Sequence, residues 1–309
     1  MAEFNPVLVK ELRSRMRGAR AFVLLSIYLL VLSGVALLFY AAIADISSTD
    51  LNSGRTIGKS LFLLIGAVAL VEVCIITPTL TSGSIAGEKE RQSYDLLVSS
   101  LLSPWQIIWG KLAAALSFAL LLILAIVPLM SLAFVFGGVS LAEVLIALVG
   151  LITTAIFYAS IGVFWSSVLR TTLGANSMSL GSVILMLLGI PFVALMFTLI
   201  FGRDISPDWL NSTAFKLLAS AFLYIHPFIA LQASEVQLST GESAFYTSME
   251  LGNGASIPVP SPWIVYLGLA LLFSALLVLL STRMLRPERD SSPRPPAPSK
   301  PAKASQAEA

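Results

Sequence analysis

Charge is scarce in this chain. Only 12% of its 309 residues are Asp, Glu, Lys or Arg and 57% are apolar, whereas about 25% of an ordinary soluble domain is charged. That balance excludes a freely soluble globular domain. The net charge of +2, thinly spread, excludes a nucleic-acid-binding face, so no nucleic-acid partner is expected. Cysteine is nearly absent: Cys74, the single thiol, lies in an apolar stretch, so neither an intrachain disulfide nor a thiolate metal site can form. Histidine also occurs once, as His226, and a lone imidazole does not complete a zinc site without carboxylates close by. No glycine-rich loop ends in Gly-Lys-Ser or Gly-Lys-Thr, and no His-Glu-x-x-His pattern occurs. Neither a catalytic residue nor a metal or cofactor ligand is expected on this chain.

What the chain has in abundance is long apolar runs. A helix crossing hydrocarbon needs about 20 mostly apolar residues, because each backbone polar group must be satisfied within the segment. Six stretches qualify, at about 21–43, 60–80, 107–134, 143–168, 179–201 and 262–282. The third is long enough to tilt or to kink at Pro128. Runs such as SLFLLIGAVALVEVCII are continuously apolar and do not alternate, which excludes a β-barrel. The first run is too long for a cleaved signal and is followed by more apolar sequence, so it reads as a retained span. The expected fold is an all-α integral membrane protein occupying residues 1–285, with a polar tail, 286–309, too rich in Pro, Ser and Ala to build a core.

Basic residues orient the bundle. With both termini in the cytoplasm, that side carries Lys10, Arg13, Arg15, Arg17, Arg20, Lys89, Arg91, Lys111, Arg170 and the basic residues from Arg283 to Lys303, leaving Arg55, Lys59, Arg203 and Lys216 outside. Lys and Arg concentrate on cytoplasmic segments, so an even number of crossings follows. The outer connection 202–261 contains FKLLASAFLYIHPFIALQAS, where Pro227 suits a broken helix, re-entrant or lying on the surface. STGESAFYTSMELGNGASIPVPSP after it has the Ser, Gly and Pro content of an exposed loop.

Three features carry chemistry. Residues 5–20 wind as a helix with Lys10, Arg13, Arg17 and Arg20 on one face and Leu8, Leu12, Met16 and Ala19 on the other, fit for the interface with membrane lipid. It is either an elbow that carries motion into the first span or only an anchor. Between the second and third spans, Gly83 and Gly87 break the apolar run, Glu88 to Arg91 form a tight charge cluster, and apolar residues return from Tyr94. Ser103 caps a new helix with Pro104 in its first turn. This short cytoplasmic segment either grips a soluble partner or lays Leu96, Leu97, Leu101 and Leu102 on the bilayer. Finally, Glu72 sits mid-span, at a cost of about 2.5–3.5 kcal/mol. The twelve Leu, Ile, Val and Phe residues from Ser60 to Leu80 outweigh it, so Glu72 inserts facing the protein interior, a second subunit or a wet cavity. Ala113 to Ala119 and Gly174, Gly181 and Gly189 are small residues that permit close helix packing.

NPVLVKELRSRMR at the N-terminus, six spans, and GEKERQSYDLLVSSLLSPWQIIWGKL after the second span together resemble the membrane subunit of an ABC-2 type transporter. Pro6, Lys10, Glu11 and Arg13 match that family's N-terminal signature, and Gly87, Glu88, Lys89, Glu90, Leu96, Leu97, Leu102, Ser103, Gly110 and Lys111 match its cytoplasmic segment. Gln92 and Ser93 stand where Gly-Thr is usual, and Leu101 where many relatives carry a turn residue. The resemblance covers residues 1 to about 200 well and the last span more loosely. It implies a homodimer or heterodimer of permease subunits driven by a separate cytoplasmic ATPase, which would bind the ATP and Mg. The coupling residues would be Gly87, Glu88, Lys89, Glu90, Arg91, Leu96, Leu97, Ser103 and Pro104, with Lys10, Glu11, Arg13, Arg17 and Arg20 on the interfacial helix. The alternative is a proton- or ion-coupled carrier using Glu72.

Overall fold

The computed structural model describes residues 7–11, 19–44, 53–94, 103–201, 212–250 and 256–285. Arg13, Arg17, Leu96, Leu97, residues 202–211 and the tail from 286 lie outside them, as does the Arg20 side chain. Residues 7–11 are helical.

All six expected spans are helices long and apolar enough to cross a membrane. They are α1 (Ala19–Ala44), α2 (Ser53–Glu90), α3 (Pro104–Phe136), α4 (Leu141–Val168), α5 (Thr172–Phe201) and, after two shorter helices, α8 (Pro262–Met284). Between α5 and α8 lie α6 (Thr213–Tyr224) and α7 (Pro227–Ser239), meeting at a bend of 114°. His226 makes the corner. Its Nδ1 accepts from the Ile229 N–H at 3.3 Å, capping α7, while its Nε2 lies 3.1 Å from the Leu187 carbonyl of α5. Two partners with these roles fix the neutral tautomer that donates from Nε2.

Three features differ from the sequence expectation. First, α2 does not stop near residue 80; its 38 residues rise about 57 Å, nearly twice the hydrocarbon thickness. Gly83 and Gly87 do not break it, because their missing side chains let α5 approach: a Cβ on Gly87 would lie 3.3 Å from the Thr172 methyl. Second, the expected loop after α7 contains a hairpin, β1 (Tyr246–Glu250) antiparallel to β2 (Ser256–Pro260), with Tyr246 opposite Pro260. Half-buried Ile257 and Val259 alternate with exposed neighbours, the period of a strand with one covered face. Third, the glycines that bring helices together are not those expected on α5. Gly181 faces open space, whereas a Cβ on Gly162 of α4 would come within 2.6 Å of the Pro78 carbonyl of α2. α5 is peripheral, and α4 is the most enclosed span.

Pro128 and Pro78 sit inside α3 and α2 without ending them. The bundle is held by apolar packing in three clusters: Leu61, Phe62, Leu122 and Ile126 between α2 and α3, Tyr158 and Tyr266 between α4 and α8, and Ile85, Ile108 and Val163 toward the α2 C-terminus. Lipid provides no hydrophobic drive between helices, so van der Waals contact and buried hydrogen bonds must do this work. Thr154 and Tyr266 share one such bond at 2.7 Å, and the Trp165 indole donates to Ser182 at 2.8 Å.

Candidate functional site

The ends of α2, α4 and α8 and the starts of α3 and α5 meet at one end of the bundle, here called the basal end. The α2 terminus is closed by its own backbone: the Ser93 N–H reaches the Glu88 carbonyl at 3.0 Å and the Gln92 N–H reaches that of Lys89 at 3.2 Å. This pair of bonds is a Schellman cap, which requires a left-handed residue at its turn. Gln92 takes that conformation at φ 57°, unlike any other non-glycine among the described residues. Glycine is usual at this place in the family that the sequence resembles, and the cap supplies the physical reason.

Beside the cap lies a buried lysine. Lys111, about two turns into α3, is only 1% exposed. Its ammonium contacts Glu88 Oε1 at 2.9 Å, Glu11 Oε1 at 3.3 Å and the Ser84 carbonyl at 2.7 Å. An ammonium has three N–H donors, and three acceptors meet it. Burying that charge without them would cost several kcal/mol. Through this one side chain the N-terminal segment, α2 and α3 are joined, and Glu88, expected among the coupling residues, is engaged by Lys111 within the chain. Arg91 stays exposed.

The other charges of the cluster are also used within the chain. The Lys89 ammonium donates to the Ser167 carbonyl of α4 and to that of Leu169 at 3.4 Å, and lies 5.6 Å from the Tyr94 ring. Glu90 accepts from the Thr172 N–H at 3.0 Å and its hydroxyl at 2.7 Å, closing the open N-terminus of α5. Ser166 Oγ accepts from the backbone N–H groups of Ile85 and Ala86 at 2.9 and 3.0 Å. Tyr94 donates to the Leu285 carbonyl at 3.4 Å, reaching the end of α8. The Ser103 cap expected for α3 is present as a full capping box with Gln106, and Pro104 opens the helix. An open cleft of about 680 Å³ adjoins the cluster, lined by Lys10, Glu11, Glu88, Arg91 and Thr172.

Thus Gly87, Glu88, Lys89, Glu90 and Glu11 converge, while Ser103 and Pro104 shape the start of α3. Reading the sequence by neighbours missed Lys111, Ser166 and Thr172 as members. Lys111 was legible only as a family match, a cation placed four residues into an apolar helix face with no local partner.

The opposite, distal end holds a second lysine between two carboxylates. Lys59 of α2 lies 3.2 Å from Glu143 Oε2 of α4 and is ion-paired with Glu235 of α7. Glu143 also caps α4, accepting from the Ser140 N–H at 3.2 Å. Burial pushes the Glu235 carboxyl above the usual carboxylate range and the Glu143 charge adds to this, while Lys59 pulls it back. Glu72 stands apart from both ends: it is half-buried on α2, and neither its Oε2 nor the Tyr28 hydroxyl of α1 has a hydrogen-bond partner among the described residues.

No curated protein matches the chain. A family profile described as ABC-2 family transporter protein matches residues 42–283, which takes in four whole spans, all but the last residue of α8, and both lysines, Lys59 and Lys111, but begins after the N-terminal signature and Glu11. With its six long apolar helices, the chain belongs to the ABC-2 family and is a multi-pass membrane protein, the permease component of such a transporter.

Proposed function

We propose that the basal end is cytoplasmic, that a separate ATPase subunit docks there on residues 87–104, and that the permease works in an exporter built from two membrane subunits. One observation carries this: Lys111, almost wholly buried, ties Glu11 of the N-terminal segment to Glu88 and the Ser84 carbonyl of α2 at the root of α3. A push on this end reaches α4 through Lys89 and Ser166, and α5 through Glu90, so it moves these elements together. The distribution of charge supports the orientation. Lys10, Lys89, Arg91, Lys111, Arg170 and Arg283 belong to the basal end, and Arg55, Lys59 and Lys216 to the other.

Since Glu88, Lys89 and Glu90 face partners in their own chain, Arg91 is the charge of the Glu88 to Arg91 cluster left for the ATPase. Leu96 and Leu97 provide the apolar contacts of the same segment. ATP and Mg bind in the partner, and hydrolysis belongs to it. A proton-coupled carrier would need a relay at Glu72, whose Oε2 has no hydrogen-bond partner among the described residues.

The test is co-purification of the permease with its ATPase subunit, and ATP hydrolysis by the reconstituted pair. Arg91→Glu is expected to lower recovery of the ATPase severalfold while the permease still inserts and stays folded. Undiminished recovery and undiminished permease-stimulated hydrolysis would overturn the docking assignment.

A further inference from the structure

We propose that the cavity between α2, α4 and α7 at the distal end binds an organic ammonium ion with a short apolar stem, and that such ions are a class of cargo. As a statement about cargo this rests on the permease reading above; the binding itself does not.

The cavity has an apolar wall and an acidic end. Phe62, Leu70, Leu151, Phe228 and Leu231 line the wall, and Glu143 and Glu235 close the end. Both carboxylates are 8% exposed, and they share one ammonium, that of Lys59, whose side chain is 24% exposed. Two buried anions to one cation leaves a negative charge in excess, which in a weakly polar site calls for a proton or a second cation. Among the described residues lining the cavity and its outer vestibule, the other charged group is Arg55, which is exposed and borders the vestibule together with Lys59 and Glu143. Glu143 is committed to its capping box. Glu235 has no bond among the described residues but the one to Lys59, so Glu235 is the group free to meet a ligand.

Lys59 shows what chemistry suits the place. Its side chain is an ammonium on a four-carbon stem, held between the two carboxylates from the vestibule side. A ligand entering from the cavity side would present the same head to the same oxygens, with its stem against Phe62 and Leu231. The cavity volume of about 80 Å³ admits an ammonium head and the few carbons of its stem. Anions are rejected by the carboxylates, and neutral alcohols leave the excess charge unanswered.

The test is isothermal titration of the purified permease in nanodiscs at pH 7.5, without any ATPase, with n-butylammonium as probe. Potassium, n-butanol and butanesulfonate are the comparisons. Butylammonium is expected to bind saturably and the other three not. Glu235→Gln, nearly isosteric, should weaken binding by about tenfold or more, and Lys59→Ala should tighten it by a similar factor by leaving both carboxylates to the ligand. A purely structural lysine would give no tightening. Absence of saturable binding, equal binding of butanol or potassium, or an affinity that neither variant moves would overturn the site; none of these outcomes touches the ATPase test.

Discussion

The two ends of α2 carry the same stoichiometry, one lysine between two carboxylates, with opposite burial. At the basal end the lysine is 1% exposed and Glu11 and Glu88 are each 21% exposed; at the distal end the carboxylates are buried and Lys59 is 24% exposed. The basal centre is built around a cation that cannot leave, so it needs both anions and behaves as a fixed joint. The distal centre is built around anions that cannot leave, so it is short of positive charge and behaves as a site. One arrangement of three groups thus serves rigidity in one place and exchange in the other, decided by which partner is denied water.

The largest effect is expected from stripping the basal lysine of both anions. Glu11→Gln with Glu88→Gln leaves the Lys111 ammonium buried against carbonyl and amide oxygens, and should cost about 3–5 kcal/mol, read from detergent-driven unfolding. A cost below 1 kcal/mol would mean that the lysine finds water and that no joint exists. At the distal end, Lys59→Met should cost less, about 2–3 kcal/mol at pH 8, because the buried carboxylates can take protons. The pH dependence fixes the sign. Glu235's carboxyl lies above its unfolded value, so between those two values the folded state holds more protons, and stability falls as pH rises through that window. The variant should therefore regain stability on acidification toward that window, and a loss on acidification would contradict the account.

Gly162→Ala tests the contact between the centres, where α4 meets α2. Its new methyl would press on the Pro78 carbonyl and should cost about 2 kcal/mol. The smallest effect is a gain. Gln92→Gly relieves the left-handed residue of the α2 cap and should stabilise by about 1 kcal/mol in the same unfolding measurement; a loss would mean that the Gln92 side chain does more than fill the turn.

The spans were legible because continuous apolar runs of the required length admit little else, and all six lie where the runs lie. Their ends were less so. α2 continues through two glycines because Ser166 and Thr172, some 80 positions away, meet its last turns, and no window of local sequence contains that contact. α5 begins several residues before its apolar run because Glu90 caps it from another helix. The hairpin was missed because turn residues dominated a stretch whose alternation spans only five positions. At the basal end the resemblance singled out Gly87, Glu88, Lys89 and Glu90 as a group, but no local spacing shows what Glu88 meets in the fold. The buried Lys111, more than 20 positions on, takes it because it has no water to turn to.

The central claim is that the basal end faces the cytoplasm and receives an ATPase subunit. Its most direct measurement is labelling of Ser93→Cys with a membrane-impermeant maleimide, since the native Cys74 is buried. Labelling is predicted in inside-out vesicles alone, with strong protection once the ATPase subunit is bound. Labelling from the opposite face, or equal labelling with and without the ATPase, would contradict it.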